Sequence, residues 1–359
     1  MDIGKREEKM NIDAVVMEHG KATATQVASA LVDMVYTLIE QTYRGADRIL
    51  YQNPTDVPNQ TLSDFLTYIF AYPKDIKTPQ VILRSGSTPT KNQQDSRFAG
   101  RTFICFSGGV DSTGALLGAI DEGKSPVALW CDYGQPYRVP EQKIVTQICS
   151  KLDVPLVQAV LDLSDLIALG GTRFGHVFPA RNLMIAAICL CFQPSEIVLA
   201  GLCDELVVPD KSPRMYDEFS KYFGVPLYSP FAHITKAEVL CLWKSRWNQY
   251  LSAEETVSCY SSNGNCQNCS SCAKREVAMV ASGYTDTFPE VFINQHELIE
   301  KHWFSRIDSF QYERRTDILI ALDKFRDRLT PKLQRLLDVK CIQYQGEINR
   351  RKVQLQRTK

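Results

Sequence analysis

The chain has 359 residues, 44% of them hydrophobic and 23% charged, which is typical of a globular protein with a buried core. Its 41 basic and 41 acidic residues cancel, so the composition gives no overall attraction to nucleic acid. We expect no membrane segment, because no stretch approaches the roughly 18 apolar residues that a spanning helix needs. The charged start, MDIGKREEKM, lacks the apolar centre of a signal peptide.

The first predicted unit is an N-terminal extension, residues 1–84, that we expect to be mostly helical. One amphipathic helix is predicted around residues 26–40, and a shorter one around residues 62–69, from apolar residues at helical spacing. These residues are Val27, Leu31, Met34, Val35 and Leu38, then Leu62, Phe65, Leu66 and Ile69. Residues 85–100 are polar and rich in Gly, Ser and Thr, which predicts a linker.

From Thr102 the pattern changes to short apolar runs, each followed by a helical or polar segment. The runs are TFICF, PVALWC, PLVQAV and EIVLAG. This alternation predicts an α/β fold with a doubly wound parallel sheet covered on both faces. Three polar clusters follow the strands, at residues 107–111, 132–135 and 201–205. Ligands bind beyond the carboxyl ends of such strands, so a binding site is expected there.

The first polar cluster lies in the stretch FICFSGGVDSTGALLGAI. Two adjacent glycines permit backbone conformations with positive φ and let a ligand approach closely. Ser107, Asp111 and Ser112 are placed to line the start of the next helix, where free N–H groups favour an anion. The pattern predicts a phosphate-binding loop, with an ordinary capped turn as the alternative.

Twelve cysteines divide into two kinds. Cys105, Cys131, Cys189 and Cys191 stand singly in apolar segments, as reduced core thiols do, which predicts a cytoplasmic location. A second group has the spacing C-x6-C-x2-C-x2-C, which suits tetrahedral Zn²⁺ in a structural site. An iron–sulfur cluster and a disulfide pair remain alternatives. This group is Cys259, Cys266, Cys269 and Cys272.

Residues 286–359 again have a helical pattern and form a predicted C-terminal helical extension. Residues 341–359 carry five Lys or Arg against one Glu. We interpret this charge as a solvated helix end, and expect no nucleic-acid partner.

Taken in order, these motifs resemble one family. SGGVDS resembles the pyrophosphatase loop (PP-loop) of N-type ATP pyrophosphatases, which cleave ATP to AMP and pyrophosphate by adenylating a substrate oxygen. Residues 101–285, about half the chain, resemble one branch, the 7-cyano-7-deazaguanine synthases called QueC. The further signatures are DYGQ at 132–135, FPARN at 178–182, GLCDE at 201–205, TKAE at 235–238, and the cysteine cluster at 259–272 followed by Arg275. The resemblance implies an adenine nucleotide alpha-hydrolase-like fold.

The resemblance also implies roles for single residues. Asp111 would help to hold Mg²⁺, and Lys236 and Arg181 would act with it in catalysis by offsetting phosphate charge. Without the resemblance, both cations would be interpreted as members of surface ion pairs. Asp132 and Gln135 would lie where a base edge is read. The implied ATP-binding set is Ser107, Gly108, Gly109, Val110, Asp111, Ser112, Asp132, Gln135, Arg181, Asn182 and Lys236.

Departures from the family concentrate in its substrate half. SPRMYDEF (212–219) has Arg214, Met215 and Tyr216 where the family has Asp, Cys and Arg. Tyr137 stands in place of a His, and Ala180 in place of a Gly. Together with the two extensions, this resembles the QueC-like proteins of bacterial anti-phage operons, which attach a deazaguanine to a protein amine.

We therefore expect an ATP-dependent ligase with ATP, Mg²⁺ and Zn²⁺, joining 7-carboxy-7-deazaguanine to an amine of a co-encoded protein that the extensions dock. One alternative is the synthase itself, which uses ammonia. Another is a PP-loop tRNA-modifying enzyme, which needs a persulfide-forming cysteine or a basic face. A non-enzymatic nucleotide sensor would have lost Asp111 or a loop glycine, and neither is lost. A homodimer is left open.

Overall fold

A computed structural model describes residues 12–18, 21–27, 30–72, 77–85, 96–161, 163, 178–259, 261, 264–267, 269–286 and 296–358. Its centre is a sheet of seven strands with the order β2-β1-β7-β6-β5-β8-β9. The five strands from β7 to β9 run parallel, and β1 and β2 are antiparallel at one edge. Within the described residues, no helix is both long and apolar enough to cross a membrane.

All four predicted strand runs form strands of the parallel sheet, which confirms the α/β prediction. Strand β5 is buried along its whole length, as expected for a strand covered on both faces. The elements of this central part are β5 (Thr102–Cys105), α3 (Val110–Asp121), β6 (Val127–Asp132), α4 (Arg138–Leu152), β7 (Leu156–Val160), α5 (Arg181–Leu190), β8 (Glu196–Val198), α6 (Pro213–Phe223), β9 (Leu227–Tyr228), α7 (Lys236–Leu242) and α8 (Ser270–Ala281).

The N-terminal part contains as much strand as helix, so the prediction of a mostly helical extension was wrong. Its elements are β1 (Ile12–Glu18), β2 (Lys21–Val27), α1 (Ala30–Tyr43), β3 (Arg48–Asn53), α2 (Asn59–Ile69) and β4 (Gln80–Ser85). Strands β1 and β2 pair as a hairpin, and β1 extends the main sheet by pairing with β7. Strands β3 and β4 form a separate parallel pair.

Helix α1 explains part of that error. The helical spacing assigned Val27 to it, whereas Val27 pairs with Ile12 in the hairpin and the helix begins at Ala30. The other apolar residues predicted to lie on α1 and α2 are buried. Of the predicted linker, residues 86–95 lie outside the described part of the chain, and residues 96–98 form a short 3₁₀ turn.

The C-terminal part is helical, with α9 (His296–His302), α10 (Tyr312–Asp323), α11 (Pro331–Gln343) and α12 (Gln345–Arg357). It packs on α7 and α8, on one face of the sheet. The N-terminal helices α1 and α2 pack with α5 and α6 on the other face. Strand β5 contributes alternate side chains to the hydrophobic cores on the two faces of the sheet. Ile104 packs in the core with the C-terminal helices, and Phe103 packs in the core with the N-terminal helices.

Candidate nucleotide-binding site and metal centre

A cavity of about 230 Å³ lies at the carboxyl ends of β5 and β6, where the parallel sheet was expected to bind a ligand. It collects residues from six separated segments of the chain. Predicted site residues that line it are Ser107, Gly109, Asp111, Ser112, Arg181, Asn182 and Lys236. Further lining residues, none of them a predicted site residue, include Tyr137, Glu141, Lys211 and Lys274.

The glycine loop after β5 has the geometry of an anion cradle. Gly108 has φ +69°, and a Cβ there would lie 3.0 Å from the Ile144 side chain, so the turn requires glycine. The N–H of Ser107 donates to Ser112 Oγ (3.2 Å), which folds the loop onto the start of α3. Gly109 precedes α3, whose first turn has no side-chain cap among the described residues. Its N–H groups are therefore available to a phosphate.

Two ion pairs cross the cavity. Lys236, at the start of α7, contacts Asp111 of the loop, and Lys211 lies 2.7 Å from Glu205. Burial raises the pKa of Asp111, against the effect of Lys236. Burial also acts to raise the pKa of Glu205, but Lys211 and Lys236 outweigh it and lower that pKa to about 2.

Asp111 also has the features of a cation ligand. Its Oδ1 atom is buried and accepts no hydrogen bond from the described residues. A carboxylate oxygen left open in this way suits a hard divalent cation such as Mg²⁺. Asp111 is thus suited to hold a metal–phosphate complex against the loop.

Another wall of the cavity carries Glu141. Its carboxylate accepts hydrogen bonds from the indole N–H of Trp130 (3.3 Å) and the amide of Gln135 (3.2 Å). Burial raises its pKa to about 7. At neutral pH this carboxyl is therefore divided between its charged and neutral forms.

Gln135 and Asp132 hold the DYGQ turn rather than face the cavity. Gln135 is fully buried, and its amide accepts from the N–H of Tyr133 (2.9 Å) and donates to the Cys131 carbonyl (3.1 Å). Asp132 accepts from the N–H of Gly134 (2.9 Å). Neither is among the described residues that line the cavity. Gln135 therefore positions Glu141, and the base-reading role implied for Asp132 and Gln135 stays a prediction.

Gly108 and Val110 of the implied ATP-binding set support the loop but are not among the described residues that line the cavity. Gly108 makes the turn, and Val110, the first residue of α3, is fully buried. At the FPARN motif, Ala180 has φ +57°, the left-handed region in which the family's glycine would be unstrained. The N–H of Asn182 donates to the buried carboxylate of Asp210 (3.0 Å), which fixes the start of α5.

The altered segment 212–216 contacts the N-terminal part of the chain. Ser212 caps α6 and accepts a hydrogen bond from the hydroxyl of Tyr68 (2.9 Å). The Arg214 guanidinium stacks on the Tyr68 ring, 4.3 Å from its centre. Met215 and Tyr216 are buried in the core. Ser212 and Arg214 therefore hold α2 against the start of α6. The described cavity lining does not include Arg214, Met215 or Tyr216.

The four clustered cysteines come together, with their sulfur atoms within 4.8 Å of one another. Cys259 Sγ accepts N–H groups from Ser261 (3.2 Å) and Cys266 (3.3 Å), and Cys269 Sγ accepts the N–H of Cys272 at the start of α8 (3.4 Å). Such hydrogen bonds stabilise thiolates that bind a metal. The cluster fits Zn²⁺, and with four protein ligands it would have no position open for a substrate.

This cysteine segment also supports the glycine loop. The N–H of Val257 donates to the Gly108 carbonyl (2.9 Å), and Ser258 and Cys259 line the cavity. Lys274 lines the cavity too, whereas Arg275 pairs with Glu276 (3.0 Å).

Comparison with known proteins agrees with this geometry. A family model described as queuosine biosynthesis protein QueC matches residues 101–176 and 175–283. The chain is 26% identical over 216 residues to a 7-cyano-7-deazaguanine synthase of Pseudoalteromonas translucida, covering 52% of this chain and 96% of that protein. It is 30% identical over 210 residues to the synthase of Saccharophagus degradans, covering 49% of this chain and 91% of that protein.

Proposed function

The chain belongs to the family of queuosine biosynthesis proteins called QueC, and from this we propose that it uses ATP to adenylate the carboxylate of a 7-deazaguanine acid. In that step a carboxylate oxygen bonds to the α-phosphorus and pyrophosphate leaves. An amine then attacks the carbonyl carbon of the acyl-adenylate, and AMP leaves. The observation that carries the proposal is the cavity that joins the glycine loop, Asp111, Lys236 and Arg181.

The residues divide this work by charge and position. The loop N–H groups and Lys236 would hold the departing pyrophosphate, and Asp111 would hold Mg²⁺ beside it. Arg181 would offset charge near the α-phosphate. Preorganised charges of this kind act most strongly where water is excluded.

The relatives are 7-cyano-7-deazaguanine synthases, and this favours ammonia as the amine, because the nitrile nitrogen carries no substituent. The product would then be the 7-cyano compound, formed when a second ATP activates the amide oxygen and the amide is dehydrated to the nitrile. Conjugation to a protein is the first expectation from the sequence, but the relatives give better support to its alternative. The synthase is accordingly the leading proposal.

Conjugation to a partner protein in an anti-phage system is the second candidate. It is favoured by the segment 212–216, which is engaged by Tyr68 of the N-terminal part. In addition, residues 30–72 and 296–358 add surface on both faces of the catalytic part. A protein acceptor would need docking surface of this kind, whereas ammonia needs none.

Product analysis separates the two candidates. The protein would be incubated with ATP, Mg²⁺ and 7-carboxy-7-deazaguanine, once with ammonium and once with co-encoded proteins. The synthase proposal expects amide and then nitrile in the ammonium reaction, with AMP and pyrophosphate. A mass increase on a partner protein, equal to the acid minus water, would instead establish conjugation. Absence of any acid-dependent pyrophosphate in both reactions would contradict the proposed function.

A further inference from the structure

Lys211 is a cation of the cavity that no motif identified. It lies on the short 3₁₀ turn Pro209–Lys211, between β8 and α6. The turn is fixed on both sides: the preceding residue, Asp210, accepts the N–H of Asn182 (3.0 Å), and the following residue, Ser212, caps α6. The Lys211 side chain therefore enters the cavity from a rigid point of the backbone.

Its partner differs from that of Lys236. Lys236 contacts Asp111 of the glycine loop, where the phosphates are expected, whereas Lys211 contacts Glu205, which follows β8. The two ion pairs are close neighbours, since Lys236 also lowers the pKa of Glu205 and Lys211 also acts to lower that of Asp111, but each ammonium group bonds to a different carboxylate. Because its ammonium bonds to Glu205 and not to the glycine loop, Lys211 is a second cation beside the expected phosphate site and can meet another anionic group there.

The Lys211 ammonium has capacity for a second anion. It carries three N–H donors, and among the described residues one is used, by Glu205 Oε2 at 2.7 Å. Burial acts to lower the pKa of Lys211, but Glu205 outweighs it and raises that pKa. The group therefore stays charged at neutral pH. The contact with Glu205 also shows that the Lys211 ammonium can donate a hydrogen bond to a carboxylate.

We propose that Lys211 binds the carboxylate of the acid substrate and orients it for attack on the α-phosphorus. This inference rests on the proposed function. One carboxylate oxygen would accept from the Lys211 ammonium while the other bonds to phosphorus, so no proton moves at Lys211. A carboxylate held in this way gains the rate advantage of a fixed near-attack geometry.

Binding measurements test the proposal without turnover. Affinity for 7-carboxy-7-deazaguanine would be measured by calorimetry with a non-hydrolysable ATP analogue and Mg²⁺ present, and affinity for the analogue would be measured separately. We expect Lys211→Met to weaken acid binding by roughly 10- to 100-fold, since a charged hydrogen bond is lost, and analogue binding to stay within about threefold. Lys211→Arg should recover part of the acid affinity. Lys221→Met, at an exposed position on α6, is the matched control and should change neither.

Two variants exclude a simpler explanation. In Lys211→Met the Glu205 carboxylate loses its partner and could repel the acid. The double variant Lys211→Met with Glu205→Gln removes both charges, and the proposal requires that acid binding stay weak. Recovery of acid binding in the double variant would overturn it.

Other outcomes also decide the matter. Unchanged acid binding in Lys211→Met, or weakened binding of the ATP analogue instead, would overturn the role of Lys211 and leave the proposed function standing. Failure of the wild-type protein to bind the acid would contradict the proposed function, and the role of Lys211 with it.

Discussion

Asp111 combines three properties at the residue scale: a place in the glycine loop, an ion pair with Lys236, and a buried oxygen with no hydrogen-bond partner among the described residues. We predict that Asp111→Ala lowers the rate of pyrophosphate release from ATP by roughly 10²- to 10³-fold, as is typical when one charge partner of a transition state is removed. Ser107→Ala should also reduce that rate. A pyrophosphate assay measures the effect, and circular dichroism checks the fold.

A control for this prediction lies on the same helix. Asp121, at the far end of α3, pairs with Arg246 away from the cavity lining. Asp121→Ala should keep near wild-type activity. Activity of Asp111→Ala within about threefold of wild type would be far from the expected loss and would contradict the role of Asp111.

Glu141 gives a prediction about pH. Its pKa of about 7 in the folded protein exceeds the ordinary value of 4.5, so the folded state retains a proton that the unfolded state has lost. Its contribution to stability is therefore complete below about pH 4.5 and is lost as the pH rises through 7. We predict that Glu141→Gln, which stays neutral, gains stability relative to wild type as the pH rises from 4.5 to 8. Melting temperatures across this range measure it, and a difference that does not change with pH would refute it.

The polar residues at the strand ends show what sequence can and cannot predict at this scale. The parallel sheet predicted that residues 107–111 and 201–205 meet, and Asp111 and Glu205 do share the cavity. Gln135 was assigned to the same edge, but its side chain turns inward to hold the loop. Spacing places a residue on an edge without fixing the direction of its side chain. Lys211 was missed because no motif surrounds it.

At the scale of elements, the cysteine segment and the glycine loop act together. The loop turn depends on the bond from the Val257 N–H to the Gly108 carbonyl, two residues before Cys259. We predict one zinc per chain. Because a structural zinc site contributes to folding, Cys269→Ser or chelation should lower the melting temperature and weaken ATP binding through the loop. Elemental analysis and thermal denaturation provide the measurements.

Cys341 provides the matched control for that substitution. It is a half-buried cysteine on α11, outside the metal-ligand cluster. Cys341→Ser should keep the zinc and the ATP affinity. Iron in the purified protein, or a stable protein with no bound metal, would contradict the zinc assignment.

The C-terminal helices are joined to the catalytic part through Arg351 on α12. Its guanidinium, fully buried, donates to Asp317 on α10 (2.8 Å) and to Thr235, and pairs with Glu238 on α7 (3.1 Å). Thr235 and Glu238 form the capping box of α7, the helix that begins at Lys236. The C-terminal part therefore holds the helix start from which Lys236, the cation proposed to act on the phosphates, projects.

We predict that Arg351→Met lowers the free energy of unfolding by about 3–5 kcal/mol, since it leaves two buried carboxylates without their cation. The neighbouring exposed residue supplies the control, and Arg350→Met should have little effect. Urea denaturation of both variants measures the difference. A loss of the same size in both would show that Arg351 has no special part in anchoring α12.

For the whole molecule, the N-terminal and C-terminal extensions differ in how well the sequence predicts their structure. The C-terminal helices follow from local apolar spacing and are observed as helices. The hairpin of β1 and β2 does not follow from it, because its place is set by pairing with β7, more than a hundred positions along the chain. Contacts of this range override local propensity. The departures from the family at Arg214 and Tyr216 likewise have no explanation in the local sequence. The structure explains them, because Arg214 stacks on Tyr68 of α2 and Tyr216 is buried in the core.

The central claim is the proposal that this protein adenylates a deazaguanine carboxylate. Exchange of labelled pyrophosphate into ATP, with no amine present, tests it most directly, since that exchange reports reversible formation of the acyl-adenylate alone. The account predicts exchange that requires 7-carboxy-7-deazaguanine and Mg²⁺ and is abolished in Asp111→Ala. Exchange that is absent with this acid, or equally fast without it, would contradict the account.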